Sequence, residues 1–96
     1  MKANNNITVF GAGSWGTSLS NIIAHNSKDV YIWGKEASVC DSINKIQENK
    51  IFLPGNKLSK NLYAINDIKN KKLFNSEIYI FAIPTQYLRP ILNKIK

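Results

Sequence analysis

Three glycines within six residues, Gly11-Ala12-Gly13-Ser14-Trp15-Gly16, form the stretch of this sequence best suited to holding an anion. A phosphate must approach backbone amides closely, and a β-carbon in the loop would hold it away. In the spacing GxGxxG the first glycine permits a tight turn, the second lets the backbone reach the phosphates, and the third lets a following helix pack on the preceding strand. Ser14 and Trp15 fall where that helix begins, so its free amides and dipole would face the negative charge. Two residues of opposite charge follow, Lys35 and Glu36. Glu36 lies about 20 residues past the last glycine, the spacing of an acid that accepts ribose hydroxyls, and Lys35 could pair with a 2′-phosphate. The residues leave open which of the two acts, so the site is expected to accept either NAD or NADP.

The loop has this meaning only between a strand and a helix, and the flanking sequence supplies both. Ile7-Thr8-Val9-Phe10 is β-branched and aromatic and ends on Gly11, as a buried strand does. From Ser14 the apolar Trp15, Leu19, Ile22 and Ile23 fall at i, i+4, i+7 and i+8, one face of a helix that Asn26 and Ser27 can stop. Val30-Tyr31-Ile32-Trp33 then closes a strand-helix-strand unit of about 27 residues, which implies a parallel pair with a right-handed crossover.

A second helix is expected over residues 37–47, with Val39, Ile43 and Ile46 on its apolar face, and Phe52-Leu53-Pro54-Gly55 makes a loop. Leu62 to Ile65 is a weak third strand, after which Asp67 can cap a short helix through Phe74. The apolar run Ile78 to Ile83 reads as a fourth strand buried on both faces, ended by Pro84. Thr85 can cap a last helix, in which Pro90 costs a hydrogen bond unless it lies in the first turn. The fold class is α/β: a Rossmann-type doubly wound parallel sheet, incomplete at about four strands, in one partial domain over residues 1–96. The chain reads as truncated, and an unpaired sheet edge would favour self-association or low stability.

Composition narrows the function classes. With 96 residues, 44% of them apolar and 20% charged, the chain has the make-up of one small globular domain with one modest core. No apolar run approaches the roughly 20 residues of a membrane span, and nothing before Ile7 resembles a signal peptide, so a cytoplasmic protein is expected. Cys40 is the single cysteine, which excludes an internal disulfide and a cysteine cluster for metal; it reads as a small buried hydrophobe. His25, the single histidine, sits near a helix end and reads as a surface residue. The net charge of +7 raises the question of nucleic acid, but the lysines are scattered and Arg89 is the only arginine, so no nucleic-acid partner is expected. The same excess would attract an anionic cofactor.

Four segments taken together carry a resemblance: Ile7-Thr8-Val9-Phe10-Gly11-Ala12-Gly13-Ser14-Trp15-Gly16-Thr17, Val30-Tyr31-Ile32-Trp33-Gly34-Lys35, Phe52-Leu53-Pro54-Gly55 and Ile83-Pro84-Thr85-Gln86. In kind, order and spacing they resemble the cofactor-binding half of the NAD(P)-dependent glycerol-3-phosphate dehydrogenases. The resemblance implies reversible reduction of dihydroxyacetone phosphate to sn-glycerol 3-phosphate, which supplies the backbone of glycerophospholipids. It implies that Gly11 to Gly16 hold the pyrophosphate and that Lys35 lies near the adenosine ribose, where bacterial relatives often carry His or Arg. Tyr87 falls where relatives place a cofactor-contacting residue. The family's catalytic lysine and substrate-phosphate clamp belong to a helical second domain and to the end of the first. No lysine of this chain occupies those motif positions, so no catalytic and no metal-binding residue is expected. Two readings share the fold and the cofactor: a dehydrogenase part that is inactive without a separate C-terminal catalytic domain, or a stand-alone dinucleotide-binding module or non-catalytic gene remnant.

Overall fold

The strands hold together because residues of alternate parity face opposite sides of one sheet, and both sides are covered. The computed structural model describes residues 6–26 and 29–94, and of Thr85 the backbone alone. The stop expected at Ser27, the cap expected from the Thr85 side chain and the N-terminal residues 1–5 lie outside the described residues. Four strands, β1 (Ile7–Phe10), β2 (Val30–Trp33), β3 (Leu62–Ile65) and β4 (Ile78–Phe81), pair in the order β3-β2-β1-β4. All three pairings are parallel. Helices α1 (Ser14–Ala24), α2 (Ala37–Ile46) and α3 (Thr85–Lys94) complete the α/β unit expected from the sequence.

Val9, Val30, Ile32, Leu62 and Ala64 point to the face covered by α1 and α2, where they meet Ala24, Val39, Cys40 and Ile43. Phe10 and Trp33 point to the other face and pack with Leu73 and with Ile91 of α3. There Phe10 stacks on Phe81 at 4.8 Å between ring centroids. Burial of such side chains is worth roughly 1.5–3 kcal/mol each, so these alternating residues supply most of the drive for the sheet. Among the described residues, no helix is long and apolar enough to cross a membrane.

Four expectations need correction. The face of α1 that meets the sheet is Gly16, Thr17, Ser20 and Ala24, not the large apolar stripe. Trp15 and Ile22 are exposed, while Leu19 and Ile23 are half-buried at the margins. The glycine loop pins the start of α1 so close to the sheet that only small side chains fit beneath it. In α2, Val39 and Ile43 are buried as expected, whereas Ile46 is exposed in the last turn. β4 is one of the two edge strands and is not buried on both faces: Ile78 and Tyr79 are exposed, and only the Ile80–Phe81 end is half-buried. Finally, the short helix before β4 is a single 3-10 turn over Lys71–Phe74, capped by the Asn70 side chain, which accepts from the Lys72 amide at 2.9 Å. Asp67 accepts from the Lys69 amide instead and makes a separate turn.

At the end of α1, Asn26 does stop the helix, but by donating its side-chain amide to the Ile22 carbonyl at 3.2 Å and not through a left-handed backbone. Pro90 lies in the interior of α3, where it leaves one helical carbonyl without its usual donor.

Candidate functional site

The sheet reverses its winding between β1 and β4, since β2 and β3 lie on one side of β1 and β4 on the other. In a doubly wound sheet that reversal opens a crevice at the carboxyl ends of the strands. A cavity of about 640 Å³ occupies this place, in the range usual for small-molecule sites. Each wall comes from the end of one strand or from a single following element.

The floor is the glycine loop. Gly11 has φ +123°, a conformation glycine adopts without strain, and its amide donates to the Trp33 carbonyl at 2.8 Å. The Ala82 amide donates to the Phe10 carbonyl at 2.8 Å, which draws the end of β4 beside the loop. A β-carbon on Gly11 would lie 2.3 Å from the Ala82 carbonyl oxygen, and one on Gly16 would lie 2.0 Å from that of Gly11. Gly13 differs from both, because nothing lies within 4 Å of the place its β-carbon would take. It lines the cavity and stands at the N-terminus of α1, where no side-chain cap and no acidic residue competes for the free amides. That arrangement suits an anion.

The side wall follows β2. Gly34 packs against Ala12, its β-carbon position being only 2.8 Å from that of Ala12, and Lys35 and Glu36 stand at the cavity edge. Both are exposed, and the Glu36 side chain makes no cap hydrogen bond to α2 although its backbone occupies the cap position. The ammonium of Lys35 lies 5.6 Å from the centre of the Tyr87 ring, close enough for a cation–π contact. The facing wall is one side of α3: Tyr87, Pro90, Ile91 and Lys94, spaced at i, i+3, i+4 and i+7. Three apolar or aromatic groups followed by an ammonium could hold a flat ring beside an anion.

The structure thus brings Gly11, Ala12, Gly13, Lys35, Glu36 and Tyr87 around one cavity. Ser14, Trp15 and Gly16 do not line it: the first two are exposed on the first turn of α1, and Gly16 is buried beneath the loop. His25 is exposed at the end of α1, away from the cavity lining, and the described residues hold no cluster of three or more metal-ligating side chains. Burial raises the pKa of the Cys40 thiol above its ordinary value, with the Gly34 backbone opposing the effect and the nearby Asp41 adding to it.

Sequence reading missed two features. Phe52, in the loop after α2, lines the cavity. Asn49 in the same loop is fully buried: its side-chain nitrogen donates to the Ala12 carbonyl at 2.9 Å and to Thr17 Oγ1 at 2.8 Å, and its oxygen accepts from the Phe52 amide at 3.0 Å. The only signal for Asn49 is that it precedes Phe52-Leu53-Pro54-Gly55, a polar residue in a segment already singled out.

Comparison with known proteins identifies relatives of this chain and of its fold. Residues 6–96 match the family model described as the N-terminus of NAD-dependent glycerol-3-phosphate dehydrogenase. A glycerol-3-phosphate dehydrogenase (NAD(P)+) of Carboxydothermus hydrogenoformans is 42% identical over 90 residues, which are 94% of this chain and 26% of that protein. The corresponding protein of Bacillus velezensis is 40% identical over 88 residues, 92% of this chain and 25% of its own length. This chain therefore spans about a quarter of the curated relatives it matches. Among solved structures, the glycerol-3-phosphate dehydrogenase of Saccharomyces cerevisiae superposes with a TM-score of 0.86 at 29% identity, over 97% of this chain and 30% of that one. That of Coxiella burnetii gives 0.83 at 26% identity, over 94% and 27%. Motif, topology and similarity converge, and the chain belongs to the NAD-dependent glycerol-3-phosphate dehydrogenase family, matching its N-terminal region.

Proposed function

We propose that this chain is the dinucleotide-holding part of a glycerol-3-phosphate dehydrogenase that interconverts dihydroxyacetone phosphate and sn-glycerol 3-phosphate with NAD or NADP. The observation that carries this reading is Gly13: a helix N-terminus with free amides, opening on a cavity at the winding reversal, with no protein atom near its missing β-carbon. In this assignment the free amides where α1 begins, that of Gly13 foremost, meet the pyrophosphate, Glu36 accepts from the ribose hydroxyls, and Lys35 stands ready for a 2′-phosphate. Tyr87 packs on the cofactor from α3, and the apolar walls exclude water. The bound dinucleotide supplies the hydride. The lysine that assists the transfer and the groups that hold the substrate phosphate are assigned to a separate catalytic domain. We place the activity in the cytoplasm and in the supply of glycerophospholipid backbones.

Titration of the 96-residue chain with NADH and with NADPH is expected to give saturable binding. Gly13→Val is expected to weaken it by about tenfold or more, since each 1.4 kcal/mol lost is a factor of ten. The chain alone is expected to show no turnover of dihydroxyacetone phosphate. Undiminished binding by a folded Gly13→Val chain would refute the use of the loop, and turnover by residues 1–96 would refute the assignment of catalysis to a separate domain.

A further inference from the structure

A trans peptide unit is planar, and its carbonyl and N–H point in opposite directions. The unit joining Ala12 to Gly13 is trans, so whatever fixes the Ala12 oxygen also aims the Gly13 amide. Two donors fix that oxygen, the Asn49 side-chain nitrogen at 2.9 Å and Thr17 Oγ1 at 3.3 Å. Both residues are fully buried, so the carbonyl is drawn into the protein and the Gly13 N–H is turned out, toward the cavity that Gly13 lines. A reversed unit would present the Ala12 oxygen to the anion and repel it.

From this we infer that Asn49 is a positioning residue for the phosphate loop: by anchoring the Ala12 carbonyl it aims the Gly13 amide at the pyrophosphate. The inference rests on the dinucleotide reading and deepens it. The side chain suits the task in a way its isosteres do not. Its amide gives two hydrogens, to Ala12 and Thr17, and its oxygen takes one from Phe52, so its orientation is set by the network. Aspartate has the same shape but, when ionised, no hydrogen to give. The Phe52 contact also ties a second cavity residue to the same side chain, so the loop after α2 and the phosphate loop are set together.

The test uses amide NMR of the whole chain titrated with inorganic pyrophosphate and, separately, with NADH and NADPH. In the parent, the Gly13 amide is expected to be among the resonances that pyrophosphate moves most. In Asn49→Asp at neutral pH, pyrophosphate and NADH are expected to bind about tenfold more weakly, the scale of one lost charge-assisted contact, with the Gly13 response lost. Both are expected to recover, relative to the parent at each pH, as acid protonates the new carboxyl and restores an O–H donor to Ala12. A merely structural role would move amides throughout the chain, whereas loss of aim is expected to be confined to Gly13 and its neighbours while the rest of the amide spectrum stays that of the parent. Thr17→Val removes the second donor without adding charge; it is expected to cost about threefold, and it carries the test should Asn49→Asp fail to fold. A Gly13 amide unmoved by saturating pyrophosphate overturns the inference, and so do folded variants that bind as the parent does. A parent whose Gly13 amide answers to pyrophosphate while neither NADH nor NADPH binds would refute the dinucleotide reading and leave the aim of Gly13 standing.

Discussion

Gly13 and Gly16 stand three positions apart in one loop and serve opposite needs, one toward the cavity and one toward the protein. A methyl group on Gly16 would drive into the Gly11 carbonyl, so Gly16→Ala forces backbone to move and is expected to cost about 1–3 kcal/mol. For a domain of this size that lowers the melting temperature by roughly 4–8 °C per kcal/mol, readable by calorimetry. Gly13→Ala meets no protein atom, so its melting temperature is expected to stay near the parent's while affinity for NADH falls. If Gly13→Ala destabilised as much as Gly16→Ala, the division of labour would be wrong. Lys35 is a similar case, in which one side chain separates two ligands. Lys35→Gln is expected to weaken NADPH by about tenfold relative to NADH, because only NADPH carries the 2′-phosphate assigned to this ammonium. Equal losses for both cofactors, measured at the same salt concentration, would assign the 2′-phosphate to another group.

The two edges of the sheet are finished differently. On the β3 edge, Asn44 from α2 donates to the Ala64 carbonyl at 2.8 Å and accepts from the Ala64 amide at 2.9 Å, as a neighbouring strand would. Asn44→Ala is expected to lower stability by about 1–3 kcal/mol and to expose ladder groups, giving concentration-dependent association in sedimentation. A variant that stays monomeric and as stable as the parent would show that Asn44 does not guard this edge. The elements themselves were legible in sequence: all four strands and three helices fall where local patterns put them, because β-branched runs and helical periodicity act over a few residues. What escaped was set by distance in space. The α1 stripe of Trp15, Leu19, Ile22 and Ile23 has helical spacing, yet the loop-to-sheet approach buries the small face instead. Nothing in the run Ile78 to Ile83 tells that it forms an outer strand. In the site, the glycines and Lys35-Glu36 are sequence neighbours and could be read together, whereas Asn49 meets Ala12 across 37 positions of chain and could not.

The fold as a whole encloses one thiol, and its protonation couples to unfolding. Burial, the largest effect, raises the Cys40 pKa, so the folded state holds that proton after the unfolded chain has released it. The contribution is fully present at neutral pH, below the thiol's ordinary range, and is lost as pH rises through it. Urea midpoints are therefore expected to fall between about pH 8 and 10, and Cys40→Ala, though less stable throughout, is expected to show a shallower fall. Equal slopes would assign the alkaline loss elsewhere, with Tyr31, also raised by burial, the next group to test. The chain's two tryptophans stand in opposite settings: Trp33 is 5% exposed, lines the cavity and donates its indole N–H to the Asn66 carbonyl at 2.8 Å, whereas Trp15 is 64% exposed on the first turn of α1. One will emit toward the blue and the other toward the red, giving two intrinsic optical reporters. Reduced nicotinamide absorbs where tryptophan emits, so energy transfer from Trp33 will register ligand entry without a label, while collisional quenchers will silence Trp15 first.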